Sequence, residues 1–446
     1  MATTRRHLFA EGLVLAVVAA LSLAAQNAFA ADADSAQDTV LNAADGMVQP
    51  AQFRHRPCPP APCPLPVPGQ IPAEEAAPAE KPMAEMPAEA AAPPSALAGG
   101  MGAAAGPESA FPNMIGDFFG GGARFFGRGQ LANIQNASVG IAGGDRRYKI
   151  IEGNSPVPTD RLFLNYNHFQ NPLLDIEGND RNLERFTFGL EKTFFDGMWS
   201  AEVRLPLSSD YNSTQSMSGG GLSATEFGDV AVALKRVILR RENFLLSTGL
   251  GMAFPTGDDW RIVDDAGTVV EVANESVHLQ PFLGAAWRSD DNPLFCLFFT
   301  QIDFDTQGNS VRMRNPRTSN GSSTLDTIGV FQEQNLLFVD IALGYWIYRN
   351  HSAHYLTGIA PIVELHYSTT LQNEDYVSGL YGSIGANSPQ SGSIGNGRRD
   401  VLNLTSGLQF ELGRMSSLTV AGVAPLRTGE DREYDAEFVV QFNRRF

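Results

Sequence analysis

The sequence predicts an all-β protein: an antiparallel transmembrane β-barrel of about 12 strands, preceded by a disordered Pro/Ala-rich segment. Three observations predict it. From Arg161 onward apolar and polar residues alternate with a period of two. The links between the alternating runs are short and long by turns, and the last run closes on an aromatic residue, Phe446.

The alternation is plainest in two neighbouring runs. Phe186, Phe188, Leu190, Lys192 and Phe194 share one face, against Thr187, Gly189, Glu191 and Thr193 on the other. The next run sets Trp199, Ala201, Val203 and Leu205 against Ser200, Glu202 and Arg204. Successive side chains of a strand point to opposite faces, so each run has one apolar and one polar side. Such runs centre near Leu164, Leu190, Val203, Val232, Leu250, Leu283, Phe298, Ile341, Ile359, Leu408, Val420 and Val440.

The short links fall at Asp196-Gly197, Arg240–Asn243, Asp290–Pro293, Arg349–Ser352 and Gly413–Ser416. The long ones are Asn171–Asn182, Ser208–Thr225, Pro255–Glu275, Gln307–Gln334 and Thr369–Arg399, with Arg427–Glu433 shorter. A soluble sandwich has no reason to sort its links by parity. A membrane barrel does, because its periplasmic turns are tight and its external loops long. An even number of strands returns both ends of the barrel to the periplasmic side. In the last run Tyr434, Ala436, Phe438, Val440, Phe442 and Phe446 lie on one face. That pattern resembles the C-terminal signal of bacterial outer-membrane barrels, and it implies outer-membrane lipid and the barrel-assembly machinery as partners. Tyr166, Trp199, Trp287, Tyr345 and Tyr367 fit membrane-interface girdles. Gly189, Gly249, Gly251, Gly284 and Gly344 are expected where a strand needs room or curvature.

Composition agrees with this reading without proving it. The hydrophobic fraction is 43% and the mean hydropathy −0.13, a near-neutral average that strands with one lipid face and one water face produce. After the N-terminus no apolar run approaches the about 20 residues of a membrane-spanning helix. A net charge of −17 argues against nucleic acid as a partner. Three cysteines make no zinc pattern: Cys58 and Cys63 flank a proline run and could form a local disulfide, and Cys296 stands alone. No cofactor or metal site is expected.

The barrel, residues 159–446, follows three different stretches. Residues 1–30 have the form of a cleaved signal peptide, with Arg5 and Arg6, an apolar core from Leu13 to Leu23, and a cleavage site at Ala28-Phe29-Ala30. Residues 31–110 are rich in Ala, Pro and Glu and cannot bury enough surface to offset chain entropy. They are expected to be an extended periplasmic linker, either a spacer or a tether to cell wall or a periplasmic partner. Residues 111–158 begin with a Phe/Gly cluster (Phe118-Phe119-Gly120, Phe125-Phe126-Gly127). It is too apolar for a linker and too glycine-rich for a stable helix, so it is an interfacial element or a plug. Asp145 to Arg161 is expected to lead the chain up to the first strand.

If the apolar faces meet lipid, the inward set includes Glu191, Glu202, Arg204, Asp229, Lys235, Asp303, Asp340, Glu364, His366, Glu411 and Glu437. Charges are costly in hydrocarbon and permitted against water. Two readings stay open: the charges pair across a narrow lumen and hold it rigid, or they line a path whose acidity favours cations.

The segments Phe227-Gly228-Asp229-Val230-Ala231-Val232-Ala233-Leu234-Lys235 and Gly249-Leu250-Gly251-Met252-Ala253-Phe254-Pro255-Thr256-Gly257-Asp258 resemble a known pattern. It is that of the outer-membrane barrel family named for the meta-pathway of phenol degradation. The match runs from Glu226 to Asp259 and does not include the Pro/Ala region. The resemblance implies a channel or transporter for small solutes, with hydrophobic or aromatic compounds among the candidates. The alternative is a structural barrel that joins the envelope through its linker. An enzyme is not expected. His366 and Ser368 have the spacing of an outer-membrane phospholipase pair, but Val363, Leu365 and Tyr367 take the lipid face, so both point inward, and no Asn-Gly follows.

Overall fold

The computed structural model describes residues 111–446 apart from 119, 121–122, 129–130, 141–146, 219–224, 316–323, 373–375, 382–389 and 396. The expected signal peptide, the Pro/Ala linker and the Cys58–Cys63 pair lie outside the described residues. Twelve long strands form the body. They are β1 (Arg161–Leu174), β2 (Asp180–Phe194), β3 (Trp199–Ser209), β4 (Val230–Arg240), β5 (Phe244–Phe254) and β6 (His278–Arg288). Then follow β7 (Leu294–Asp305), β8 (Leu336–Tyr345), β9 (Leu356–Thr370), β10 (Asp400–Leu412), β11 (Ser416–Pro425) and β12 (Ala436–Arg445). Each expected centre falls inside one of them.

Every strand pairs antiparallel with the strand before it, and β12 returns to β1 with Val440 opposite Tyr166 and Phe442 opposite Leu164. The sheet is therefore closed. Its outer face is apolar: Leu162, Phe188, Leu205, Ile341, Leu343 and Phe442 are each 41–51% exposed, while Glu191 and Glu202 on the alternate positions are 0% and 2% exposed. This inverts the arrangement of a water-soluble sheet. Among the described residues no helix is long and apolar enough to cross a membrane. A bilayer leaves no water for unpaired backbone groups, so a spanning sheet must close on itself, and this one does. Several inward glycines mark where a ring takes the place of a side chain. A Cβ at Gly189 would collide with the Phe163 ring, and one at Gly344 with Phe295.

Three features differ from the expectation. The first loop is short, because β1 and β2 keep pairing through an irregularity between Phe169 and Leu173 and leave only residues 175–179 outside the strands. The longer loops are not open tails. They carry two sheets of their own, one of five strands (Thr214–Ser216, Trp260–Asp264, Gly267–Val272, Asn309–Arg314, Leu325–Phe331) and one of four. Phe125, Trp260, Ile262, Met313, Phe331 and Ile394 are buried together beneath these sheets as a separate apolar core. Finally, the inner face is not polar throughout. Toward the short-turn end Leu245, Ala286, Phe295, Leu297, Ala342 and Ile362 form a dry cluster. In a lumen this narrow, side chains meet across the gap and pack instead of facing water. Tyr345, expected at an interface, is only 7% exposed.

Ile341 sits in the middle of β8 on the outer face. Ile341→Arg should cost about 2–4 kcal/mol of folding free energy in bilayers, the penalty of a guanidinium at membrane mid-depth. Urea titration of the protein in lipid vesicles measures it, and an unchanged midpoint would contradict the assigned face.

Candidate functional site: the occupied lumen

The four-stranded loop sheet contains two strands that precede the barrel in sequence, Arg124–Arg128 and Ala137–Ser138. Arg124–Arg128 pairs with Gln390–Gly395 of the long loop between β9 and β10, Phe126 opposite Ser393. The chain before β1 thus reaches the loop end of the barrel, although β1 starts at the turn end. It gets there and back through the lumen.

The ascending leg is residues 111–118. Phe111 and Pro112 stand at the turn end beside Glu411, Asn443 and Arg445. Higher up, the backbone N–H groups of Ile115 and Gly116 donate to the Glu364 carboxylate of β9 at 2.8 and 2.9 Å. Phe118, nearer the loop end, packs edge-on against Phe338 of β8 with centroids 5.1 Å apart. The descending leg is residues 147–159. The legs hold each other through Met114 N donating to Asn154 O (2.7 Å) and Gly153 N donating to Ile115 O (3.2 Å). Gly116 and Gly153 have positive φ, 91° and 61°, where they cross, and a Cβ on Gly116 would come within 2.9 Å of the Glu152 backbone. The lead-in expected over Asp145 to Arg161 is therefore a second passage through the barrel. Its isoleucines, Ile150 and Ile151, join the inner apolar cluster.

The charged residues of the legs meet those of the strands. Lys149 Nζ lies 2.7 Å from Asp117 of the other leg and 2.5 Å from Asp340 of β8. His366 Nδ1 is 3.0 Å from Asp340, and its Nε2 is 3.0 Å from Thr405 Oγ1, so Ser368 is not its partner. Arg147 pairs with Glu333 at 2.7 Å and approaches Asp303 of β7 at 4.0 Å. On the opposite side Glu152 accepts from Arg185 of β2 at 2.7 Å. Arg204 of β3 donates to the carbonyls of Lys149 (3.3 Å) and Ile150 (3.1 Å). Lys235 of β4 donates to Ser155 O (2.7 Å) and to Glu191 (3.0 Å). Arg161 links Glu191 (2.7 Å), Glu202 (2.8 Å) and Asn154 (3.0 Å).

Of the residues predicted from sequence, Glu191, Glu202, Arg204, Lys235, Asp303, Asp340, Glu364, His366 and Glu437 all lie on the inner face and are at most 3% exposed. Glu437 accepts from Asn167 of β1 at 2.7 Å. Glu411 lies at the turn end, partly exposed, and forms an ion pair with Arg445 of β12 at 2.5 Å. Asp229 is at the loop end just before β4, where it accepts from the backbone of Thr256 (3.0 Å) and Gly257 (2.8 Å) and from Asn274 (2.7 Å). The strand period also places Arg161 and Arg185 inward. Asp117, Arg147, Lys149 and Glu152 escape a strand-based reading because they belong to no strand. Asp117, Asp340 and His366 bring possible metal-ligand atoms within 4.8 Å of one another. The Lys149 ammonium already occupies the cation position between both carboxylates, so the group does not fit a metal.

Fold and site together define a class: a closed twelve-stranded transmembrane β-barrel whose lumen is filled by the chain segment that precedes it. No protein-family model and no curated protein matches the chain. Solved structures with some likeness include an outer membrane channel from Pseudomonas putida F1, at 10% identity over 65% of this chain and 96% of that one, TM-score 0.39. The Pseudomonas putida toluene transporter TodX is 8% identical over 75% and 100%, TM-score 0.36, and the beta domain of the Bordetella autotransporter BrkA 14% over 65% and 100%, TM-score 0.38. At such identities and scores the likeness carries nothing about solute or mechanism.

Two expected outcomes follow from these contacts. Lys149→Met leaves Asp117 and Asp340 with only the His366 ring between them, at 3.3 and 3.0 Å, and breaking a buried pair on one side costs about 3–5 kcal/mol. Hydrogen exchange at the Ile115 and Gly116 amides should accelerate, and protection equal to the parent's would show that the ion pair does not seat the legs. The second concerns the loop sheets. Burial alone would raise the Glu271 carboxyl, but hydrogen bonds and charge from Arg261 and Arg312 outweigh it and hold the group below the usual carboxylate range. A carboxyl held low in the folded state stabilises it above the unfolded group's pKa, and that contribution disappears as pH falls through the lower, folded value. The fluorescence of Trp260, which is fully buried in this core, should stay constant until the pH is below the ordinary glutamate range. In Glu271→Gln the core should already be weaker at neutral pH.

Proposed function

We propose that the chain is an outer-membrane channel for small solutes whose lumen is closed at rest by the two legs, residues 111–118 and 147–159. The turn end faces the periplasm and the loop end the exterior, which is the orientation that tight turns and long loops take in such barrels. Phe446, 53% exposed on the outer face beside Phe442 and Phe438, is the residue offered to the barrel-assembly machinery. The observation that carries the reading is where the inner charges find their partners. Asp340 meets Lys149, Arg185 meets Glu152, and Arg204 and Lys235 reach backbone carbonyls of the descending leg. A barrel shut permanently by its own strands needs no such complement. A lined path closed by a segment that is not part of its wall does.

The second reading is a structural barrel that never opens, with residues 31–110 reaching periplasmic partners. It is favoured by the pairing of Arg124–Arg128 into the loop sheet, which ties the segment down at the far end. Planar-bilayer recording on the full chain separates the two. The parent should be nearly silent, and Lys149→Met and Asp340→Asn should each raise the frequency of openings at least tenfold, as a loss of about 1.4 kcal/mol or more of closing free energy requires. Silence in the parent and in both folded variants would favour the structural barrel.

A further inference from the structure

The lumen is divided by charge, and the division is masked in part by the segment that fills it and in part by pairs within the strands, Arg204 with Glu202 at 2.6 Å among them. On the inner faces of β1–β4, Arg161, Arg185, Arg204 and Lys235 are buried with only two carboxylates, Glu191 and Glu202. On the inner faces of β7–β9, Asp303, Asp340 and Glu364 are buried without any lysine or arginine, His366 being the sole basic group there. In a closed ring of twelve strands these two groups of strands lie across the lumen from each other.

One residue shows that they also share a depth. The carbonyl of Lys149 accepts from Arg204 at 3.3 Å, while its ammonium lies 2.5 Å from Asp340. Its neighbour Ile150 repeats the span with backbone groups: its carbonyl accepts from Arg204 and its N–H donates to Gln301 of β7 at 2.8 Å. A single residue therefore reaches from the basic strands to the acidic ones. It does so with an oxygen at one end and an ammonium at the other.

We propose that the opened lumen presents Arg204 and Asp340 as facing halves of one constriction, and that the solutes it selects are small zwitterions with an oxyanion at one end and an ammonium at the other. The inference rests on the channel reading and narrows its solute. A field directed across the lumen aligns a dipolar molecule and lets it exchange both of its hydration contacts for protein ones. A neutral polyol of the same size makes hydrogen bonds at both ends without the charge on either, and a simple cation or anion gains only one charged contact. Lys149 in the closed state occupies the place of such a solute, with its carbonyl toward the arginine and its ammonium toward the aspartate. The whole-chain charge of −17 suggests an acidic, cation-favouring path instead, but that excess is not shared evenly around the lumen.

The test uses the full chain carrying Lys149→Met, reconstituted in vesicles, with swelling rates for γ-aminobutyrate compared against erythritol, a neutral solute of similar size. Heat-modifiable gel mobility reports folding of each variant. The zwitterion should enter faster by about tenfold, the factor that about 1.4 kcal/mol of added contact supplies. Adding either Arg204→Gln or Asp340→Asn should bring the two rates together. If Arg204→Gln does not fold, Asp340→Asn decides alone. Equal rates before those changes, or a preference that survives both, would overturn the zwitterion assignment and leave the channel reading standing. No swelling with either solute would remove the channel reading and this inference with it.

Discussion

A chain that crosses hydrocarbon in strands has nowhere to leave a free backbone N–H or C=O, so its sheet must have no edge. The pairing of β12 with β1 satisfies that requirement, and the other features follow from it. Closure separates an outside, where apolar side chains meet lipid, from an inside that only side chains and their partners can fill. With twelve strands the inside is narrow, and charges such as Glu191, Arg204 and Asp340 are taken almost wholly out of water. A buried charge is tolerable when it is paired. Part of that pairing lies within the barrel, as between Arg161 and Glu191, and part is supplied by a segment from outside the strand sequence.

The two ends of the lumen meet this demand differently. Toward the turns, Phe295, Leu297 and Ala342 pack with Ile115 and Ile151 of the segment in a cluster that resembles the core of a soluble domain. At the level of Lys149 and Arg204 the contacts are ionic and depend on matched partners. Apolar packing tolerates sliding, whereas a mispaired buried charge does not. The ionic level therefore fixes the register of the segment, and the apolar level excludes water beneath it.

The period of two made the barrel legible, because lipid on one side and a filled lumen on the other impose it on every strand. It also sorted Glu191, Asp340 and His366 to the inside without further information. What it could not disclose were partners without a period. Asp117 and Lys149 lie in irregular legs whose backbone hydrogen bonds go to each other and to strand side chains, and nothing local in their sequence marks them as buried. The loop sheets were hidden for a related reason. Trp260 and Phe125 are far apart in sequence and share a core only once the segment has passed through the barrel.

The passage of the chain through the lumen before β1 has a consequence for the order of assembly. Strand Arg124–Arg128 is bonded on the loop side of the barrel, while β1 begins on the turn side. Once β12 has joined β1 and the loop sheets have formed, neither the folded sheets nor the ring leaves a sideways route for the legs. Two histories reach the observed topology: the ring closes around legs already in place, or the segment threads end-on before Arg124–Arg128 meets Gln390–Gly395. In both, the residues that leave the ribosome first must reach their final path before the last bonds of the protein are made. In the first history the segment before β1 is a template on which the inner surface of the barrel closes; in the second it is a core drawn into a wall already built.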